Sequence, residues 1–160
     1  MIRLAQQSDI RRISQLWAQM VAYHARLDAA TFRPAADGEA LYARFIEDRL
    51  RDSFACILVA EVEGELVGYI SGGIADITNE MFESLRCGLI TELFVCAERR
   101  RQGIGRLLLE RLLLWFRACD VSSFEWYTSA HNPTALAFWR AIGGEVTLLR
   151  MRAEIPGEKS

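Results

Sequence analysis

Residues 90–109 read ITELFVCAERRRQGIGRLLL, an apolar run that turns through three arginines into a leucine-rich stretch. The first part, Gly88 to Cys96, has the composition of a buried strand. In the second part Ile104, Leu107, Leu108, Leu112, Trp115 and Phe116 fall on one face of a helix, with Arg106, Glu110 and Arg117 on the charged face. Gly103 and Gly105 stand at the mouth of that helix. Glycine there lets the backbone approach an anion, and the N–H groups of the first helical turn point at it. Arginine adds charge-assisted, often bidentate, hydrogen bonds to phosphate. The segment therefore reads as a pyrophosphate cradle. A P-loop is excluded, because Gly105 is followed by Arg106 and Leu107 instead of Lys and Ser or Thr. A dinucleotide fingerprint is excluded by Leu108, where a third glycine or alanine is needed.

Bulk properties narrow the class. At 160 residues the chain is long enough for one domain with its own core, expected over residues 1–155 with a loose tail at 156–160. It is 51% hydrophobic and 25% charged, with a net charge of −2, so no global field favours nucleic acid or an anionic membrane. The longest apolar runs, such as Leu112 to Phe116, are far shorter than a membrane span, and no signal-peptide pattern opens the chain. Cys56, Cys87, Cys96 and Cys119 lack metal-site spacing and read as reduced thiols in a cytoplasmic protein. No metal is expected.

The element order completes the fold class. Ile2–Leu4 is a first strand. Ser8 is placed to cap a helix with Ile10, Ile13, Trp17, Met20, Val21 and His24 on one face, and a second helix over about 39–50 turns Leu41, Phe45 and Ile46 inward. Strands over 55–62 and 66–77 flank Glu63-Gly64-Glu65 as a hairpin, with Gly72-Gly73 marking a bulge or a close backbone approach. The stretch 78–87 reads as a loop. Ser123–Ser129 is another strand. Asn132-Pro133 opens a helix as cap and first residue, with Ala135, Phe138, Trp139 and Ile142 on its inner face and Gly143-Gly144 as its stop. Glu145–Ala153 is the expected last strand. This is one mixed α/β domain.

The pattern Arg100-x-x-Gly103-x-Gly105, the strand ending Glu92-Leu93-Phe94-Val95, and Asn132-x-x-Ala135-x-x-Phe138 together resemble the GNAT superfamily of acyl-CoA-dependent N-acetyltransferases over nearly the whole chain. The resemblance implies a central, mostly antiparallel sheet of six to seven strands, splayed between the fourth and fifth, with four flanking helices. It implies acetyl-CoA as co-substrate. Leu93, Phe94 and Val95 would pair with the pantetheine arm. Arg100, Arg101, Gln102, Gly103, Ile104, Gly105 and Arg106 would hold the pyrophosphate, and Asn132 would hydrogen-bond the pantetheine or the coenzyme end.

Attack on a thioester needs a neutral amine, and an alkyl amine of pKa about 10.4 is neutral in only about one molecule in 2,500 at pH 7. A general base removes that handicap. Glu92 is the first candidate, with Glu125 and His131 as alternatives. Many members of the family carry a tyrosine after the Phe of the Asn helix as the acid for the leaving sulfur. Here that position is Trp139, whose indole N–H is no proton source, although the ring can pack on pantetheine. Tyr127 or water would substitute, or the thiolate would leave without a dedicated acid. Tyr23, His24, Phe32 and Glu80 are the candidate substrate residues, because aromatics beside carboxylates suit a cationic amine. The expected partner is a small-molecule amine, with self-association into a homodimer allowed. A non-catalytic acyl-CoA-binding module and a protein- or peptide-directed acetyltransferase are the competing readings.

Overall fold

The computed structural model describes residues 1–77, 81 and 85–155. It divides into two compact units, Met1–Tyr127 and Thr128–Ser160. The first unit carries β1 (Ile2–Leu4), α1 (Ile10–Leu27), α2 (Gly38–Arg51), β2 (Ala55–Val62), β3 (Glu65–Ile77), β4 (Leu85–Val95), α3 (Ile104–Ala118) and β5 (Phe124–Trp126). The second carries α4 (Pro133–Ala141). The sheet order is β1-β2-β3-β4-β5, antiparallel through β4 and parallel between β4 and β5.

Local chemistry explains most of these elements. Glu63 and Gly64 both have positive φ, +54° and +82°, which is the backbone of a tight two-residue hairpin whose twist matches the flanking strands. Val62 and Glu65 close it as a ladder pair. Ahead of α1 a 3-10 turn, Gln7–Asp9, takes over the capping expected of Ser8. The buried Asp9 carboxylate accepts from the Gln6 N–H at 2.8 Å and from the Arg3 guanidinium at 2.6 and 3.0 Å.

The sheet has a helix layer on each face. Consecutive residues of a strand point to opposite faces. A Cβ on Gly72 would meet Leu112 and Phe116 of α3, whereas one on Gly73 would meet Arg49 of α2. The α1/α2 face buries Ile13, Leu16, Tyr42, Ile46, Ile57, Val59, Tyr69 and Phe94 as one cluster. On the α3 face Leu108, Leu112 and Phe116 are buried. At roughly 1.5–3 kcal/mol for each fully buried large apolar side chain, these two layers are the main stabilising term of the first unit.

Three expectations are corrected. Among the described residues the sheet has five strands, not six to seven, because Glu145–Ala153 joins no ladder. In α2 Ile46 is buried as expected, but its partner on the inward face is Tyr42, while Leu41 and Phe45 are 48% and 40% exposed. In α3 Leu107 is half-exposed and Leu109 is buried in its place.

Candidate active site

The site is built on β4. The β3–β4 ladder pairs Ser71 with Glu92 and then Gly72 with Ile90, so Thr91 is an extra residue and the register shifts by one. Such a bulge flips the facing of the strand beyond it. Ile90 lies opposite Gly72 and Gly88 meets Phe116, so this half of β4 faces α3. Phe94 belongs to the α1/α2 cluster, and Glu92, two residues before it, shares that face. Without the bulge, Glu92 would share the α3 face with Ile90.

Glu92 thus enters a polar corner of an apolar layer. Its Oε2 accepts from the Thr91 hydroxyl at 2.5 Å. The Tyr42 and Tyr69 hydroxyls, both buried, are 3.2 Å apart. Burial pushes the Glu92 carboxyl above the ordinary carboxylate range, opposed by the Thr91 hydroxyl, the nearby Tyr42 hydroxyl and the charge of Arg49. The same burial, together with the Glu92 charge, raises both tyrosines well above their usual value. Ser71 Oγ and Arg49 Nε are buried and have no hydrogen-bond partner among the described residues. Of this group only Glu92 is legible in the sequence. Tyr69, Ser71, Thr91 and Arg49 are not, although the Gly72-Gly73 pair does point to the bulge that gathers them.

Beyond the bulge, β4 leads into the arginine–glycine turn. β5 pairs with β4 only at Gly88, Leu89 and Ile90, so Thr91 to Val95 have no ladder partner on that side among the described residues. The backbone polar groups of Leu93, Phe94 and Val95 that face away from β3 therefore form an edge with no strand beside it, where Val95 O accepts from the Arg100 side chain. After a 3-10 turn at Ala97–Arg99, Arg101 and Gly103 both adopt left-handed backbone, φ +61° and +80°. A Cβ on Gly103 would meet nothing within 4 Å, so the turn is open in front of it. The first ladder bond of α3 is Leu107 N–H to Gly103 O at 3.0 Å, which leaves the N–H groups of Ile104, Gly105 and Arg106 ahead of the helical ladder. Open space, projecting N–H groups and the positive end of a helix dipole fit a pyrophosphate.

The arginines divide their work. Arg100 does not extend into the turn. Its Nε donates to Val95 O at 2.9 Å, and its guanidinium lies 5.2 Å from the Tyr23 ring centre and 5.5 Å from that of Phe94. It ties α1 to the end of β4. Arg99 pairs with Glu63 and Arg106 with Glu110, at 2.9 and 3.2 Å. Arg101 and Gln102 are exposed, and the Gln102 amide reaches Glu98 O at 3.4 Å.

At the C-terminal end of α1, His24 stacks on Phe32 at 4.8 Å and tilts against Tyr23 at 5.7 Å. Burial pushes the His24 imidazole below its ordinary value, so it is neutral at pH 7. These three candidate substrate residues form one aromatic group with Arg100. Glu80 lies outside the described residues. Tyr127 follows β5 and is 91% exposed. Glu125, in β5, and His131 are also exposed. In the second unit Asn132 caps α4, accepting from the Ala135 N–H at 3.1 Å, with Pro133 at the first helical position. Trp139 is buried and packs edge-on to Phe138 at 5.0 Å. Gly143, φ +92°, ends the segment as expected, and the Gly144 N–H returns to Trp139 O at 2.9 Å.

Comparison with known proteins agrees with this architecture. The acetyltransferase (GNAT) family matches residues 8–143, and the chain belongs to that family. A protein of Archaeoglobus fulgidus described as an uncharacterized N-acetyltransferase is 39% identical over 74 residues, 45% of this chain and 46% of that protein. The chain therefore aligns with about half the length of this curated relative. Among solved structures, a mutant of the BH1408 protein from Bacillus halodurans superposes with a TM-score of 0.88 at 22% identity, covering 98% of this chain and 99% of that one. The aminoglycoside N-acetyltransferase AAC(6')-Iy, solved in complex with CoA, gives 0.74 at 15% identity, covering 97% of this chain and 93% of that one. At these identities the likeness shows the fold.

Proposed function

We propose that the chain transfers an acetyl group from acetyl-CoA to a primary amine of a small molecule, by direct attack with both substrates bound. The observation that carries this reading is that one strand, β4, offers three things in sequence. These are a partly buried carboxylate aimed by a bulge, an open backbone edge, and a left-handed glycine turn opening a helix. The pyrophosphate of the substrate would lie on the Arg101–Arg106 turn, and its pantetheine arm along Leu93 to Val95, hydrogen-bonded like an added strand.

The chemistry follows from the corner around Glu92. A carboxylate whose proton affinity is raised by burial is a stronger base at neutral pH than one in water. Glu92 takes a proton from the acceptor ammonium, directly or through one water. The neutral nitrogen attacks the thioester carbonyl, and a backbone N–H on the open edge of β4 steadies the oxyanion. The C–N bond forms and the C–S bond breaks; the nitrogen gives up its second proton to water, and the thiolate takes a proton from Tyr127 or water. The aromatic group Tyr23, His24 and Phe32 would receive the acceptor. AAC(6')-Iy, which shares the fold, is by name an aminoglycoside acetyltransferase, and a polyamine-like small molecule is the acceptor class we favour.

A second reading, an acyl-CoA-binding module without turnover, is favoured by one observation, Trp139 in place of an acidic phenol. Four free cysteines support a cytoplasmic setting, and a homodimer remains the proposed assembly. The test is thiol release from acetyl-CoA with a panel of primary amines. Amine-dependent release supports transfer. Tight binding of acetyl-CoA with no release for any amine supports the module.

A further inference from the structure

Arg49 sits at the last turn of α2, and its guanidinium is held from three sides. Nη2 donates to Gly72 O at 2.9 Å, Nη1 lies 3.8 Å from the Asp52 carboxylate, and the group stands 5.8 Å from the centre of the Phe45 ring. Gly72 is the β3 residue at the register shift. The arginine therefore clamps the strand opposite the extra residue that turns Glu92 toward α1 and α2. Its space is reserved by the sequence. A Cβ on Gly73 would fall 2.6 Å from Nη2, closer than side chains tolerate. One donor, Nε, is buried without a partner, an arrangement that costs stability and calls for a reason.

The groups that face Glu92 come from three elements. Thr91 comes from β4 itself, Tyr42 and Arg49 from α2, and Tyr69 and Ser71 from β3. Arg49 is the one cation among them. Removing it would leave a desolvated carboxylate with neutral hydroxyls alone, and desolvation favours the protonated acid, which is no base.

We propose that Arg49 is a positioning residue for the transfer reaction, a cation that clamps the β-bulge from α2 and so holds the Glu92 side chain in its corner. The inference rests on the reading of Glu92 as base, and the test keeps the two apart. Glu92 is followed by carboxyl carbon NMR in protein labelled at glutamate, with the resonance assigned by its loss in Glu92→Gln. The titration is run for wild type, Arg49→Met and Arg49→Lys, with melting curves to establish that each is folded. The midpoint of Glu92 is expected to rise in Arg49→Met and to return toward wild type in Arg49→Lys. With acetyl-CoA and any amine that gives turnover, the acid limb of kcat/KM is expected to move the same way, so that kcat/KM below the limb falls by roughly threefold or more in Arg49→Met. If Arg49→Met does not fold, Arg49→Lys carries the titration, with a smaller rise expected. Midpoints that coincide in all folded variants overturn the inference whatever the activity does. If the midpoint moves but Glu92→Gln turns over at the wild-type rate, the base assignment falls and takes the positioning role with it.

Discussion

Gly103 and Gly64 offer a controlled pair for testing the cradle. Both have left-handed backbone, φ +80° and +82°, and at both a Cβ would meet nothing within 4 Å. Glutamate at either position suffers the same backbone penalty, about 1–2 kcal/mol for an L-residue held in that region. For a chain of 160 residues this lowers Tm by roughly 2–8 °C. Only at Gly103 does the new carboxylate stand in the turn before α3. There it would displace a phosphate from N–H groups such as those of Ile104, Gly105 and Arg106 and repel it. A hydrogen bond to a charged group is worth about 1.5–3 kcal/mol, so loss of two weakens binding by about 10²- to 10⁴-fold. Gly103→Glu and Gly64→Glu should therefore melt alike. In calorimetric titration with CoA, Gly64→Glu should keep the wild-type Kd and Gly103→Glu should lose it. Equal Kd values for wild type and Gly103→Glu would refute the phosphate assignment, and equal losses in both variants would trace the effect to strain.

Three further substitutions have outcomes set by the structure. Glu92→Gln should lower kcat/KM by about 10²- to 10⁴-fold with CoA affinity unchanged. It should also stabilise the protein at neutral pH. The native carboxyl binds its proton more tightly than in the unfolded chain, so wild-type stability falls as pH rises from the unfolded pKa through the raised native one, and melting curves of the variant should lack that slope. Asp9→Asn removes a buried charge held by Arg3 and should cost about 2–4 kcal/mol at pH 7, measured by urea unfolding. Because Arg3 holds the native Asp9 pKa below its unfolded value, that difference is full above the unfolded pKa and disappears as pH falls through the native one. Gly88→Ala puts a methyl 2.7 Å from the Phe116 ring and should cost about 1–3 kcal/mol by overpacking.

What the sequence made legible follows a physical division. Glu63-Gly64, Asn132-Pro133 and Gly103 carry backbone requirements that few residues satisfy, so the hairpin, the α4 cap and the cradle turn could be placed from residue type alone. The face of α2 could not. Leu41 and Phe45 have the right period, but Tyr42 finds Trp17 stacked on it at 4.7 Å and the Tyr69 hydroxyl at 3.2 Å, and that tertiary pairing turns the helix by one residue. The expected last strand failed for a different reason. Glu145 to Ala153 alternates locally, yet a strand's backbone bonds come from another segment, and no ladder among the described residues supplies them. At the site, Glu92 was visible because it lies in a recognisable stretch. Arg49 and Ser71 belong to other elements, and only the extra residue at Thr91 brings them to its side.

The central claim is that the strand carrying Glu92 and the turn carrying Gly103 serve one acyl transfer. Its most direct test is mass spectrometry of the products formed from acetyl-CoA and a panel of primary amines that includes aminoglycosides. The predicted result is an N-acetylated amine formed in step with free CoA thiol by the wild type and by neither Glu92→Gln nor Gly103→Glu at comparable rates. Acetyl-CoA bound by the wild type with no acetylated amine from any acceptor would contradict it.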